Sequence, residues 1–214
     1  MIFADRVEAG ERLGEALRER LGGANAVVLA IPRGGVIVGE AAAGALDAPL
    51  DVVVPRKIGA PGNPELAIGA VAPGIRVLDP RMVGGLGVSD AYLDREIAAQ
   101  EAEIERRQQA YRQGRPPQPV RGRVAIVVDD GVATGSTAVA ALRWARAQGA
   151  ERVVLAVPVA PPQSLDRLRA EADEVVALET PSPFFAVGEW YRDFDQTPDR
   201  QVVDALARSA ATRA

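Results

Sequence analysis

A chain of 214 residues that is 48% hydrophobic and 25% charged can bury one sizeable core, and a single domain over residues 1–214 is the expectation. Its formal net charge of −4 argues against a dedicated nucleic-acid binder, because any anion site has to be local. With no Cys and no His, thiolate catalysis, structural zinc, disulfides, a Ser-His-Asp triad and imidazole acid–base chemistry are excluded together, leaving carboxylates, Lys, Arg and backbone amides.

The first residues, Met1 to Arg6, carry charge by the fifth position and lack an apolar core, so no secretory signal is expected. Apolar runs such as Val153 to Ala160 fall far short of the roughly 20 residues that span a bilayer. A cytoplasmic protein without membrane contact is the expectation. Asp5 followed by Glu8 is a capping-box pattern, and Ala9, Leu13, Ala16, Leu17 and Leu21 recur at helical spacing behind it.

Ala26 to Ile31, Val52 to Val54, Val124 to Val128, Val153 to Val159 and Val175 to Leu178 are short, β-rich and apolar on both faces. Strands of a parallel sheet sandwiched between helices read this way. Helical stretches at Val36 to Leu46, Ser136 to Gln148 and Gln163 to Ala172 alternate with them, giving the order α-β-α-β-insert-β-α-β-α-β. The fold class expected is α/β, with a doubly wound, mostly parallel central sheet flanked by helices. The insert, about residues 59–119, contains a Gly/Pro-rich segment from Gly59 to Gly74. A helix from Ser89 to Tyr111 follows, with a thin stripe of Leu93, Ile97, Ile104 and Tyr111 that suits a surface helix or a subunit contact. Arg115 to Pro119 reads as a rigid extended return. Asp199 to Ser209 reads as a closing helix within a small C-terminal hood and tail, about residues 180–214.

The chemistry concentrates where the strand Val124 to Val128 stops at Asp129 and Asp130. Gly131-Val132-Ala133-Thr134-Gly135-Ser136-Thr137 follows and leads into a helix. Ligands of open parallel sheets collect at the carboxyl ends of strands, and amides opening a helix favour an anion. Small residues allow the main chain to wrap a phosphate, and Thr134, Ser136 and Thr137 add hydroxyls. No Lys follows Gly135, so this is not a nucleotide-triphosphate P-loop. Two carboxylates beside a phosphate would repel it, and accepting hydrogen bonds from ribose hydroxyls gives them a role. A pentose 5-phosphate suits both halves; the bland alternative is a strand–turn–helix junction with acidic caps.

Val127 to Thr137 resembles the signature of the type I phosphoribosyltransferase family. The resemblance implies a 5-phosphoribosyl 1-diphosphate (PRPP) site in which Asp129 and Asp130 hold the ribose diol and Gly131 to Thr137 bind the 5-phosphate. Ile31 to Val36 resembles the family's diphosphate loop, with amides of Gly34 and Gly35 and the guanidinium of Arg33 facing the leaving group, unless Arg-Gly-Gly is a plain turn. Arg56 and Lys57 follow the second strand and either contact diphosphate or form a solvated basic turn. By position, Gly59 to Val77 corresponds to the family's mobile loop, in which Glu65 is the sole ionisable side chain between Lys57 and Arg76.

Five of the nine aromatic residues fall between Phe184 and Phe194. Trp190 or Tyr191 is therefore either a stacking platform for the acceptor or part of a hydrophobic clasp on the tail. The implied cofactor is Mg2+, with Asp129, Asp130 and Asp193 as candidate ligands. Arg33, Lys57 and the two adjacent acids are the candidate catalytic groups. The resemblance implies transfer of the phosphoribosyl group to a nitrogen acceptor with release of diphosphate. Ala133, where 6-oxopurine enzymes carry a third acid, and Val157 to Pro161, where they carry a Lys, argue against a 6-oxopurine. A non-catalytic PRPP-binding regulator and another sugar-phosphate-binding α/β enzyme are the alternatives. The expected partners are small molecules, and family habit suggests a homodimer.

Overall fold

The computed structural model describes residues 2–212. In chain order the elements are α1 (Arg6–Leu21), β1 (Ala26–Ala30), α2 (Gly34–Leu46), β2 (Leu50–Val52), β3 (Arg56–Ala60), β4 (Asn63–Ala72), β5 (Ile75–Leu78), α3 (Pro80–Gly85), α4 (Asp90–Arg112), β6 (Val124–Val128), α5 (Ser136–Ala147), β7 (Arg152–Val159), α6 (Pro162–Arg169), β8 (Glu174–Glu179), a 3-10 turn (Val187–Trp190) and α7 (Asp199–Ala211). Asp5 caps α1 by accepting from the amides of Val7 and Glu8. The Glu8 carboxylate reaches back to the amide of Ala4, one residue ahead of the position a capping box would use.

Five strands form one parallel sheet in the order β2-β1-β6-β7-β8. Its two faces are filled by strict alternation. Val28, Ala30, Ile126, Val128, Val154 and Ala156 face α1, α2 and α7, while Val27, Leu29, Ala125, Val127, Val153 and Leu155 face α5 and α6. A strand buried on both sides has no polar face, and this explains the uninterrupted apolar runs of its sequence. From β1 the chain turns through α2 to β2, and from β6 it turns through α5 to β7 on the other side. The carboxyl ends of β1 and β6 thus flank a topological switch point, where open α/β sheets leave a crevice.

The insert departs from expectation. Gly59 to Val77, the segment that corresponds by position to a mobile loop, is built of strands: β3, β4 and β5 form a separate three-stranded antiparallel sheet, with register shifts around Gly59. Alternation in Leu66, Ile68, Ala70 and Ala72 carries this strand, but the surrounding Gly and Pro conceal it. The second strand of the main sheet ends at Val52, so Arg56 and Lys57 open β3 instead of trailing the parallel strand. The stripe of α4 is buried within the chain, with Leu93, Ile97, Ile104 and Tyr111 all in its core. A buried ion pair ties the end of α4 to the sheet: Arg112 Nε donates to Asp51 Oδ1 at 2.9 Å. Among the described residues no helix is long and apolar enough to cross a membrane.

Candidate functional site

Two loops meet at the switch point. After β1, the amide of Ile31 donates to Val128 O, the Pro32–Arg33 peptide is cis, and α2 begins at Gly34. After β6 come Asp129 and Asp130, then the loop to Gly135, then α5. The loops interlock closely. A Cβ on Gly35 would lie 2.9 Å from Asp129 Cα, and one on Gly34 would overlap Asp130 Oδ2. A side chain at Gly35 would run into the backbone of β6, and one at Gly34 would displace the Asp130 carboxylate, which supplies the physical reason for the Gly-Gly pair.

The amide of Val132 donates to Val159 O, and the amide of Val139 begins the helical ladder of α5. Between them the backbone N–H groups of Ala133, Thr134, Gly135, Ser136, Thr137 and Ala138 have no acceptor among the described residues. Four orphan donors are usual at a helix start, and here the loop extends the run to six. No side chain caps this helix start. Such a run at the positive end of a helix is suited to the oxygens of a phosphate monoester.

The adjacent acids sit in unlike surroundings. Asp130 Oδ2 accepts from Arg6 Nε at 2.7 Å, and both side chains are mostly shielded from water. The same guanidinium donates to Asp195 O and lies 3.9 Å from the centroid of the Phe194 ring. Asp129 forms no ion pair among the described residues; its Oδ1 accepts from the amide of Asp130. Burial first, and then the neighbouring Asp130 charge, push the Asp129 carboxyl well above the usual carboxylate range. One acid is therefore neutralised by an internal cation, while its neighbour favours sharing a proton, a diol or an external cation.

The basic groups divide as well. Arg33 points toward α7, where its guanidinium lies 3.7 Å from Asp199, an acid that also accepts from the Tyr111 hydroxyl at 3.0 Å. Arg56 Nε donates to Gln100 on α4, and desolvation followed by the nearby Arg107 charge lowers its pKa. Lys57 is exposed at the start of β3, and Glu65 is exposed on β4. Neither is joined to the acid pair by any contact.

Above the crevice, the two ends of the described chain build the hood together. The amide of Phe3 donates to Trp190 O, and those of Arg192 and Asp193 donate to Phe3 O and Ala4 O. Tyr191 is buried between Phe3 and Phe194, with ring centroids 5.5 and 5.0 Å away, and its hydroxyl donates to the carbonyl of Asp130. This ring is thus a clasp holding the strand end, and no open face remains for stacking an acceptor. Trp190 is half-buried, with its indole N–H enclosed and lacking an acceptor among the described residues. Asp193 is exposed, its carboxylate accepts from the amide of Asp195, and no contact brings it to Asp129 or Asp130. It lines a cleft of about 440 Å³ with Asp5, Arg6, Asp195 and Asp204. Val187 covers Gly131 from the hood side, where a Cβ would meet its methyl at 2.5 Å.

Arg6 and Ser164, whose hydroxyl donates to Ala133 O, escaped the sequence reading. Arg6 is separated from Asp130 by 124 residues, so no local spacing marks it.

An open parallel sheet with a run of unpartnered amides and an acid pair at its switch point defines the class: an open α/β fold whose crevice is suited to an anion. Residues 4–193 match the phosphoribosyl transferase domain, and the chain belongs to that family. Two Mycobacterium tuberculosis proteins, from strains CDC 1551 / Oshkosh and ATCC 25618 / H37Rv, bear names that assign them provisionally as phosphoribosyl transferases. Each is 49% identical over 209 residues, which cover 97% of this chain and 47% of its own length. The chain therefore spans about half the length of these curated relatives. The crystal structure of TT1426 from Thermus thermophilus matches with a TM-score of 0.82 and 46% identity, covering 97% of this chain and 99% of that one. AQ2163 from Aquifex aeolicus shares the fold alone, with a TM-score of 0.50 and 15% identity over 94% of this chain and 83% of that one.

Proposed function

We propose that the chain binds PRPP in the crevice between β1 and β6 and transfers the phosphoribosyl group to a nitrogen acceptor, releasing diphosphate. The run of unpartnered amides from Ala133 to Ala138, directly after an acid pair, is the observation that carries this reading. In it the loop Gly131 to Thr137 receives the 5-phosphate. Asp129 and Asp130 accept from the ribose hydroxyls and favour positive charge developing on the ring. The amides of Gly34 and Gly35, with Arg33, Arg56 and Lys57, face the diphosphate. As the bond from C1 to diphosphate breaks, its electron pair leaves with the diphosphate. The acceptor nitrogen supplies the pair for the new bond and loses its proton to solvent.

The donor set suits magnesium when shared with substrate. Asp129 forms no ion pair, and no cluster of three or more candidate ligands occurs, among the described residues. Magnesium keeps several waters and takes substrate oxygens along with one or two carboxylates, so two acids suffice. When bound it would offset charge on the diphosphate. Asp193 stands apart from this set, because no hydrogen bond or ion pair joins it to Asp129 or Asp130. Trp190 rather than Tyr191 is the aromatic retained for the acceptor side, because Tyr191 is committed to the clasp.

Ala133 in the loop and the Lys-free stretch Val157 to Pro161 favour an acceptor other than a 6-oxopurine. A regulator would need a face for a partner, and the apolar stripe of α4 does not offer one, because it is consumed inside the chain. A cytoplasmic homodimer, with one domain per chain, belongs to the same proposal. The test is calorimetric titration of PRPP with magnesium into wild type and into Asp129→Asn/Asp130→Asn, followed by an acceptor screen for released diphosphate. Binding to wild type that vanishes in the double variant is expected; a wild type that does not bind overturns the reading.

A further inference from the structure

We propose that Ser164 is a positioning residue for the phosphate loop, holding the Ala133–Thr134 peptide so that the Thr134 N–H faces the 5-phosphate. This rests on the function proposed above and adds a residue that contacts no substrate. Ser164 sits in the first turn of α6, is 8% exposed, and donates its hydroxyl to Ala133 O. A serine so near a helix start commonly serves its own helix. Here the N-cap is Pro161, no side chain caps α6, and the hydroxyl is spent on a loop 31 residues away.

The consequence follows from peptide geometry. The Ala133–Thr134 bond is trans, so its C=O and N–H lie in one plane and point in opposite directions. Fixing the carbonyl against α6 directs the N–H away from α6, toward the open side of the loop, where both Ala133 and Thr134 are exposed. The Thr134 amide has no acceptor among the described residues. Released from Ser164, the peptide can rotate and present its carbonyl to the phosphate, replacing attraction with repulsion. One turn further on, fully buried Leu168 supports the same loop from the same helix face, 3.4 Å from where a Cβ on Gly135 would lie. One face of α6 therefore supports the loop at two points, one polar and one apolar.

The experiment separates the two halves of the substrate. Wild type and Ser164→Ala are titrated calorimetrically with ribose 5-phosphate and, separately, with magnesium diphosphate. Ser164→Ala is expected to bind ribose 5-phosphate about tenfold more weakly, the worth of one ordered hydrogen bond, while its affinity for diphosphate stays within about twofold of wild type. In wild type the Thr134 amide proton should shift downfield when ribose 5-phosphate saturates the protein. Equal affinities of the two proteins for ribose 5-phosphate, equal weakening of both ligands in Ser164→Ala, or an unmoved Thr134 resonance would each overturn the inference. Failure of wild type to bind ribose 5-phosphate would instead sink the parent function, and this positioning role with it.

Discussion

The loop after β6 and the hood above it treat their polar groups in opposite ways. From Ala133 to Ala138 the loop leaves successive N–H groups without acceptors, while its carbonyl at Ala133 is pinned from beneath by Ser164. Apart from the Trp190 indole N–H, the hood engages its polar groups internally: Arg6 reaches Asp130, Asp195 O and the face of Phe194, and the Tyr191 hydroxyl reaches the Asp130 carbonyl. A surface meant to receive an anion has to keep donors free, whereas a clamp has to satisfy its own. Under the proposed function the loop carries the ligand chemistry, and the contacts of the hood converge on Asp130.

The largest effect should come from breaking the junction between the two regions. Gly34→Ala places a methyl against Asp130 Oδ2 and 2.6 Å from Arg6 Nε. Displacing that acid should lower the transfer rate about a hundredfold, as misplacement by an ångström does, read as released diphosphate. Next is Arg6→Ala, which leaves Asp130 largely shielded without its cation. A loss of about 2 kcal/mol in denaturant unfolding is expected, less than for a fully buried pair because both side chains keep some exposure. Unchanged stability would mean that the hood does not secure the acid.

Tyr191→Phe removes one hydrogen bond from the clasp and should cost about 1 kcal/mol of stability with little change in the KM for acceptor. A raised acceptor KM at unchanged stability would return Tyr191 to the acceptor site. The smallest and most diagnostic effect concerns pH. The Asp129 carboxyl is raised by burial and by Asp130, so the stability it contributes is present below the ordinary carboxylate pKa and is lost as pH rises through its folded value. Asp129→Asn should therefore melt higher than wild type at neutral pH, with the difference shrinking toward about pH 4. A difference that grows on acidification would contradict the environment described for this acid.

Much of the central sheet is legible in the amino-acid sequence. Strands buried on both faces write themselves as Val-Val-Leu and Ala-Ile-Val-Val, and the acid pair with its small-residue loop follows one of them directly. The β3–β5 sheet was hidden because its strands pair antiparallel through Gly- and Pro-rich segments, with register shifts around Gly59. A Gly/Pro count cannot distinguish such strands from a loop. The stripe on α4 was visible, yet nothing in its spacing says whether it is covered by the same chain or another; here β3, β4 and α7 share its core.

By itself the sequence determined the α/β class, the strand that ends in Asp129 and Asp130, and the small-residue loop that leads from them into a helix, because each depends on residues adjacent along the chain. Only the tertiary structure decided that Arg6 pairs with Asp130, that Ser164 holds the loop, that Gly34 and Gly35 interlock with the acids, and that Tyr191 belongs to a clasp. Those contacts join segments far apart in the chain, 124 residues in the case of Arg6 and Asp130, and their partners are set by the spatial order of the strands, which no local pattern encodes.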